Sequence, residues 1–267
     1  MARFQSFWFG NALGPCEILC MKSFIDYGHE YDLYSYARLS VPSGVRLMNA
    51  NEILPQDEVF FYRRGPGAGS VSAFTNMFRY RLLMLRGGWW VDTDVICLSP
   101  RMPEKEYFCE WQDELLINVA VLKFPEGHPF ISALYERSRA AGKDIAWGHT
   151  GPNLITALAK EQGLEYYASP TGCAYPIHHR DALLPVTKAG RKASYDKIRG
   201  ATFLHLWNEV FRRNQSVALH NPPSGSFLAD LYEKHGVRRR FWAIIDPFTL
   251  RTWRHEARQW ILGFGRS

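Results

Sequence analysis

Short apolar runs alternate with stretches of helical period through the first 160 residues of the chain. Phe4 to Phe9 is apolar on both faces, which predicts a short buried strand. Pro15 suits the first turn of a helix, with Glu17 in that turn, an apolar stripe of Ile18, Leu19, Phe24 and Ile25, and Gly28 as the stop. Tyr31 to Tyr36 and Val45 to Met48 read as two further strands, and Asn49 or Asn51 caps a short helix. After a basic, glycine-rich loop at 63–70, Phe74, Met77, Phe78, Leu82 and Leu85 recur at the spacing of one helical face. Gly87-Gly88 ends that helix as a left-handed cap. Trp89 to Val91 is then a buried strand running into Asp92-Thr93-Asp94, with Val95 to Leu98 continuing extended.

Leu115 to Phe124 predicts another strand and Pro129 to Ala140 another helix. A loop at 148–153 leads into a helix from about Leu154 to Gln162, and Phe203 to Leu206 forms a last strand entering Trp207-Asn208. Residues 163–200 carry no clear period. The alternation predicts an α/β fold, a mainly parallel sheet flanked by helices. Its ligand belongs beyond the carboxyl ends of the strands, where Asp92 and Asp94 fall.

In an extended segment, residues two apart share a face, so Asp92 and Asp94 can present two carboxylates to one point with Thr93 turned away. Two hard oxygen ligands suit Mn²⁺ or Mg²⁺. Such a cation offsets charge on a departing diphosphate. An isolated DxD tripeptide is also an ordinary polar turn, so its surroundings decide.

Those surroundings are the run FTNMFRYRLLMLRGGWWVDTDV, Phe74 to Val95. It resembles the signature of the DxD-containing retaining glycosyltransferases, a group that includes α-1,4-galactosyltransferases, yeast-type mannosyltransferases and the clostridial glucosylating toxins. Arg79, Gly87, Gly88, Trp90, Asp92 and Asp94 match it, while Asn76 stands where the family usually has Asp. The opening strand, the stretch from Ser23 to Tyr34, Asn118 to Pro129, the TGP at 150–152 and His205-Leu-Trp-Asn208 resemble further family blocks, about 210 residues in all. The resemblance implies a GT-A-type nucleotide-sugar-binding domain, a UDP-sugar donor (hexose or N-acetylhexosamine), retention of configuration and Mn²⁺ or Mg²⁺.

On that resemblance, Asp92 and Asp94 hold the cation and His205 completes it, or His205 is a hydrogen-bonded core residue. Arg79 contacts the donor's sugar or diphosphate, and Asn76 a sugar hydroxyl, unless the two form a solvated polar face. Trp8 stacks on the uracil or packs in the core. Of Trp89 and Trp90, which face opposite sides, one is core, while Trp90 matches the family's aromatic near the donor. Asn118 finds either a sugar hydroxyl or a backbone partner for its amide. Trp207 and Asn208 either close over the donor or simply pack, and His149 reaches an acceptor or decorates a turn. Asp113 or Glu114 is near enough to contribute. Cys16 and Cys20 read as packing residues.

Composition adds three things. With 267 residues and 46% hydrophobic content, the chain can bury the core of one large α/β domain or of two small ones. A net charge of +6 favours anionic partners. Five cysteines without framework spacing suggest reduced thiols and a cytoplasmic setting. No run of 18 apolar residues or signal-peptide pattern occurs. We divide the chain into a catalytic domain at 1–236 and a basic, aromatic helical extension at 237–267. There a helix from Pro247 to Leu262 sets Trp253, Trp260 and Ile261 against Arg251, Arg254 and Arg258, either docked on the domain or lying peripherally on the inner face of a membrane. The acceptor would then be a surface glycan or lipid-linked oligosaccharide precursor. Rival readings are a toxin-like protein glycosyltransferase and a non-catalytic basic module binding nucleic acid or membrane. We expect no nucleic-acid partner.

Overall fold

The computed structural model describes residues 1–238. The proposed helix at 247–262, and almost all of the extension, lies outside the described residues. In chain order the elements are β1 (Arg3–Trp8), α1 (Pro15–Asp26), β2 (Glu30–Ser35), β3 (Val45–Asn49), α2 (Ser72–Arg86), β4 (Gly88–Val91) and β5 (Val95–Cys97). They continue with β6 (Phe108–Trp111), β7 (Ile117–Phe124), α3 (Pro129–Ala140), α4 (Pro152–Glu161), α5 (Arg191–Lys197), β8 (Phe203–His205), α6 (Asn208–Arg213) and α7 (Phe227–Lys234). Asn49 does cap the short 3₁₀ turn that follows β3, its side chain accepting from the Asn51 N–H.

Six strands form the main sheet in the order β3-β2-β1-β4-β7-β6. The first four are mutually parallel, while β7 runs antiparallel to β4, and β6 to β7. This is the mainly parallel α/β sheet expected, with an antiparallel edge. β6 was not foreseen: Phe108 to Trp111 is a four-residue run interrupted by Glu110, too short for a period to register.

Alternation along β4 sends Trp89 and Trp90 to opposite faces, and both are core. Trp89 packs with Phe4, Phe24 and Phe203 beneath α1. Trp90 lies in the second core, with Phe7, Phe78 and Leu122 beneath α2. The two crossover helices therefore cover opposite faces, and the chain reverses direction between β1 and β4. That is the topological switch point of an open α/β sheet, where a crevice opens at the carboxyl ends. Here the β1–β4 ladder lasts only two residue pairs, Phe4 with Trp89 and Gln5 with Trp90. Beyond it the Ser6 hydroxyl donates to the Val91 carbonyl.

Gly87 makes the turn from α2 into β4 possible. Its φ of 57° and ψ of −163° are accessible essentially to glycine alone. A Cβ there would also collide with the backbone nitrogen of Glu126. Among the described residues no helix is long and apolar enough to cross a membrane. All five cysteines are unpaired, and burial pushes the Cys20 thiol well above its ordinary value, as befits a packing residue.

Candidate functional site

The Asp92 N–H donates to the Ala120 carbonyl at 2.8 Å, one step beyond the β4–β7 ladder. The chain then turns, closed by a bond from the Val95 N–H to the Asp92 carbonyl at 3.1 Å. Asp92 and Asp94 thus converge through a tight turn, which corrects the expectation of an extended segment. The reason is that β5 leaves the main sheet to pair antiparallel with β8, with Val95 opposite His205. This pairing delivers His205 to Asp94, with Nε2 at 3.3 Å from Oδ2. Candidate ligand atoms of Asp92, Asp94 and His205 all lie within 4.8 Å of one another.

Arg79 and Asn76 do not form a solvated face. Arg79 is 2% exposed; its Nη2 donates to Asp92 Oδ1 at 2.5 Å and its Nη1 to Asn76 Oδ1 at 2.5 Å. Asn76 in turn donates to the Thr150 hydroxyl at 3.4 Å. Buried this way, Arg79 spends both terminal nitrogens on Asn76 and Asp92, and the Asn76 amide is held by Arg79 and Thr150. Trp90 is fully buried, so its ring face is closed to a sugar, but its Nε1–H donates to Asp92 Oδ1 at 2.7 Å. One oxygen of Asp92 is therefore fixed by two donors, and Oδ2 has no hydrogen-bond partner among the described residues.

The two carboxylates differ in proton affinity. Burial pushes Asp92 up, and the Asp94 charge adds to this, against the pull of Arg79. Burial also raises Asp94, but the His205 charge and hydrogen bond and the Asn208 N–H outweigh it and hold Asp94 below its ordinary value.

Asn208 opens α6 with its backbone N–H 2.9 Å from Asp94 Oδ2. Trp207, at φ 57°, is buried, and its indole donates to the Ile177 carbonyl at 2.8 Å, so it packs as a wall beside His205. Trp8 ends β1 at the switch point, half-buried, its Nε1–H on the Ala12 carbonyl. Asn118 spends its amide inside the protein, donating to Gln112 Oε1 at 2.6 Å and accepting from the Ala120 N–H at 2.8 Å. His149 is exposed in the loop before α4. Asp113 caps the β6–β7 turn and gathers with His178 and His179, apart from the Asp92 cluster; Glu114 is exposed.

Two site-building residues escaped sequence reasoning. Glu110 is 0% exposed and accepts the N–H groups of Gly172, Cys173, Ala174 and Tyr175 at 2.8–3.3 Å. Burial raises its pKa, and these four donors pull against that. Tyr175, at the end of the loop so fixed, packs edge-on to His205 and accepts from the Val121 N–H. A lone Glu in an apolar strand was the available signal, since a buried carboxylate must find donors.

Asp92, Asp94 and His205 offer a mixed oxygen and nitrogen donor set, which suits Mn²⁺ better than Mg²⁺. The His205 Nδ1 is buried without a hydrogen-bond partner among the described residues. A cation would add positive charge where two carboxylates converge. The residues present fit such an ion.

No known family model matches the chain. Among solved structures, the chain is similar to the PaToxG glycosyltransferase, with a TM-score of 0.46 and 8% identity over 89% of this chain and 85% of that one. It is also similar to the apo form of the glycosyltransferase GlyE of Streptococcus pneumoniae TIGR4, with a TM-score of 0.41 and 12% identity over 91% of this chain and 65% of that one. A second GlyE structure gives a TM-score of 0.40 and 10% identity over the same shares. Identities this low transfer no residue's role.

Proposed function

We propose that this chain is a metal-dependent glycosyltransferase of GT-A type that takes a sugar from a UDP-sugar donor with retention of configuration. The observation that carries this reading is the convergence of Asp92, Asp94 and His205 at the switch point of the sheet, with Asp92 oriented by Arg79 and Trp90. When bound, the cation supplies Lewis-acid neutralisation of the diphosphate leaving group.

The chain's own residues orient and shelter. Arg79 and Trp90 fix one oxygen of Asp92, and the Asn208 N–H together with His205 fixes Asp94. Preorganised charge of this kind is usually the largest catalytic contribution. In the proposed front-face substitution, the acceptor hydroxyl oxygen bonds to the anomeric carbon as the bond from that carbon to the β-phosphate oxygen breaks. The hydroxyl proton passes to a β-phosphate oxygen. No side chain is needed as covalent nucleophile, and Asp113 groups with His178 and His179, not with Asp92 and Asp94.

Retention and the UDP-sugar donor rest on the resemblance of the Phe74 to Val95 run. A surface glycan or lipid-linked precursor is the proposed acceptor class, and an inner-membrane-face location goes with it. The test is hydrolysis of a panel of UDP-sugars with and without Mn²⁺ by the wild type and Asp94→Ala. Mn²⁺-dependent turnover of one donor, lost in the variant, supports the assignment. Turnover that ignores both metal and substitution overturns it.

A further inference from the structure

A second group of metal-type ligands stands beside Trp207. Asp113, His178 and His179 place candidate ligand atoms within 4.8 Å of one another, and all three are half-buried and open to solvent. They come from two segments. Asp113 sits in the β6–β7 turn, where Oδ1 accepts the N–H groups of Leu115 and Leu116 at 2.9 Å each and Oδ2 accepts from Gln112 Nε2 at 3.0 Å. The two histidines open a 3₁₀ turn at His179–Asp181, their rings 3.9 Å apart. His178 Nε2 lies 3.8 Å from Asp113 Oδ2.

The protonation states agree with this geometry. Burial raises Asp113, but the bonds from Gln112, Leu115 and Leu116 and the nearby His178 outweigh it, keeping the carboxyl below its ordinary value. A metal takes each imidazole in its neutral form. Donor atoms around a tetrahedral ion with bonds of about 2.1 Å stand roughly 3.4 Å apart, a small closure from 3.8 Å.

We propose that Asp113, His178 and His179 form a second divalent-cation site, suited to Zn²⁺ and leaving a coordination position for water. Two imidazoles with one carboxylate favour a borderline ion over Mg²⁺ or Ca²⁺. The site has a built-in reporter. His178 Nδ1 now accepts the Arg180 N–H at 3.2 Å. Ligation through Nε2 moves the ring proton to Nδ1, so the Arg180 N–H must turn to another acceptor. The site also adjoins the first through one side chain. The His179 ring lies 5.6 Å from Trp207, and Trp207 lies 4.3 Å from His205, so an ion here braces the wall behind His205.

The proposal stands independently of the glycosyltransferase reading and is tested without a donor. ZnCl₂ is titrated by calorimetry into the full chain carrying Asp92→Asn and Asp94→Asn, and the Arg180 amide is followed by NMR. About one equivalent of zinc bound, with the Arg180 amide shifting in step, is the expected result. Adding His179→Asn to that background should abolish this equivalent. Should the combined variant not fold, His178→Asn with His179→Asn in an otherwise wild-type chain should lower the zinc stoichiometry by one. Zinc binding undiminished by loss of the histidines, or no binding when only the first-site carboxylates are removed, overturns the proposal.

Discussion

Arg79 lies with Nη2 2.5 Å from Asp92 Oδ1 while its other terminal nitrogen holds Asn76, so one buried guanidinium ties helix α2 to the turn carrying the proposed metal ligands. A planar fork does this and a point charge does not. Arg79→Lys keeps the charge but cannot serve both partners. Outer-sphere partners of metal ligands typically contribute 10–100-fold to metal affinity. Mn²⁺ binding to Arg79→Lys, measured by calorimetry, should weaken by about that factor. Affinity equal to wild type would show that Arg79 does not orient Asp92.

Trp90 separates a packing role from a polar one. Trp90→Phe keeps most of the ring but removes the Nε1–H that reaches Asp92. The loss should be about 1 kcal/mol. Trp90→Ala empties a fully buried site and should cost about 3–5 kcal/mol. Denaturant unfolding of the two variants should separate them by at least about 2 kcal/mol. Equal destabilisation would mean that the indole N–H outweighs the ring.

Glu110 organises the loop behind His205 through four backbone donors. Glu110→Gln replaces one acceptor oxygen by an NH₂ group facing those N–H groups. A cost of about 3 kcal/mol follows from hydrogen bonds to a charged acceptor. Thermal melting should fall by roughly 6–12 °C for a chain of this size. An unchanged melting temperature would mean that the loop holds its shape without the carboxylate.

Acid should destabilise the fold before its carboxylates titrate. His29 and His235 are buried, and burial, the largest cause, lowers both pKa values, although Asp26 partly opposes it at His235. A histidine whose folded pKa lies below its unfolded value of about 6.5 is protonated first in the unfolded chain. Stability is then full above about pH 6.5 and is lost as the pH falls from there toward the folded values. The melting temperature should drop between pH 7.5 and 5.5, and His29→Gln should flatten that slope. A flat wild-type profile over this interval would contradict the assignment.

Much of the fold was legible because its signals are local. The stripe from Phe74 to Leu85 marked α2, and alternating strands and helices marked the parallel half of the sheet. The aspartate pair was visible for the same reason, as two carboxylates two residues apart. What lay hidden depends on distant partners. That Arg79 is buried, with its fork closed on Asn76 and Asp92, follows from how α2 packs. The turn at Thr93 follows from β5 pairing with β8, over 100 residues later in the chain. Residues 163–200 showed no period because they fold as short 3₁₀ turns and the brief helix α5. Glu110 had no local partner to announce it, since its four donors come from residues 172–175.

The most direct test of the central claim is calorimetric titration of UDP into the wild type and Asp94→Ala, each with Mn²⁺ and then with the metal removed by EDTA. The account predicts that UDP binds the wild type only with Mn²⁺ and that Asp94→Ala loses this dependence together with at least about tenfold in affinity. UDP binding of equal strength in all four conditions would contradict a cation held by Asp92, Asp94 and His205 at the diphosphate.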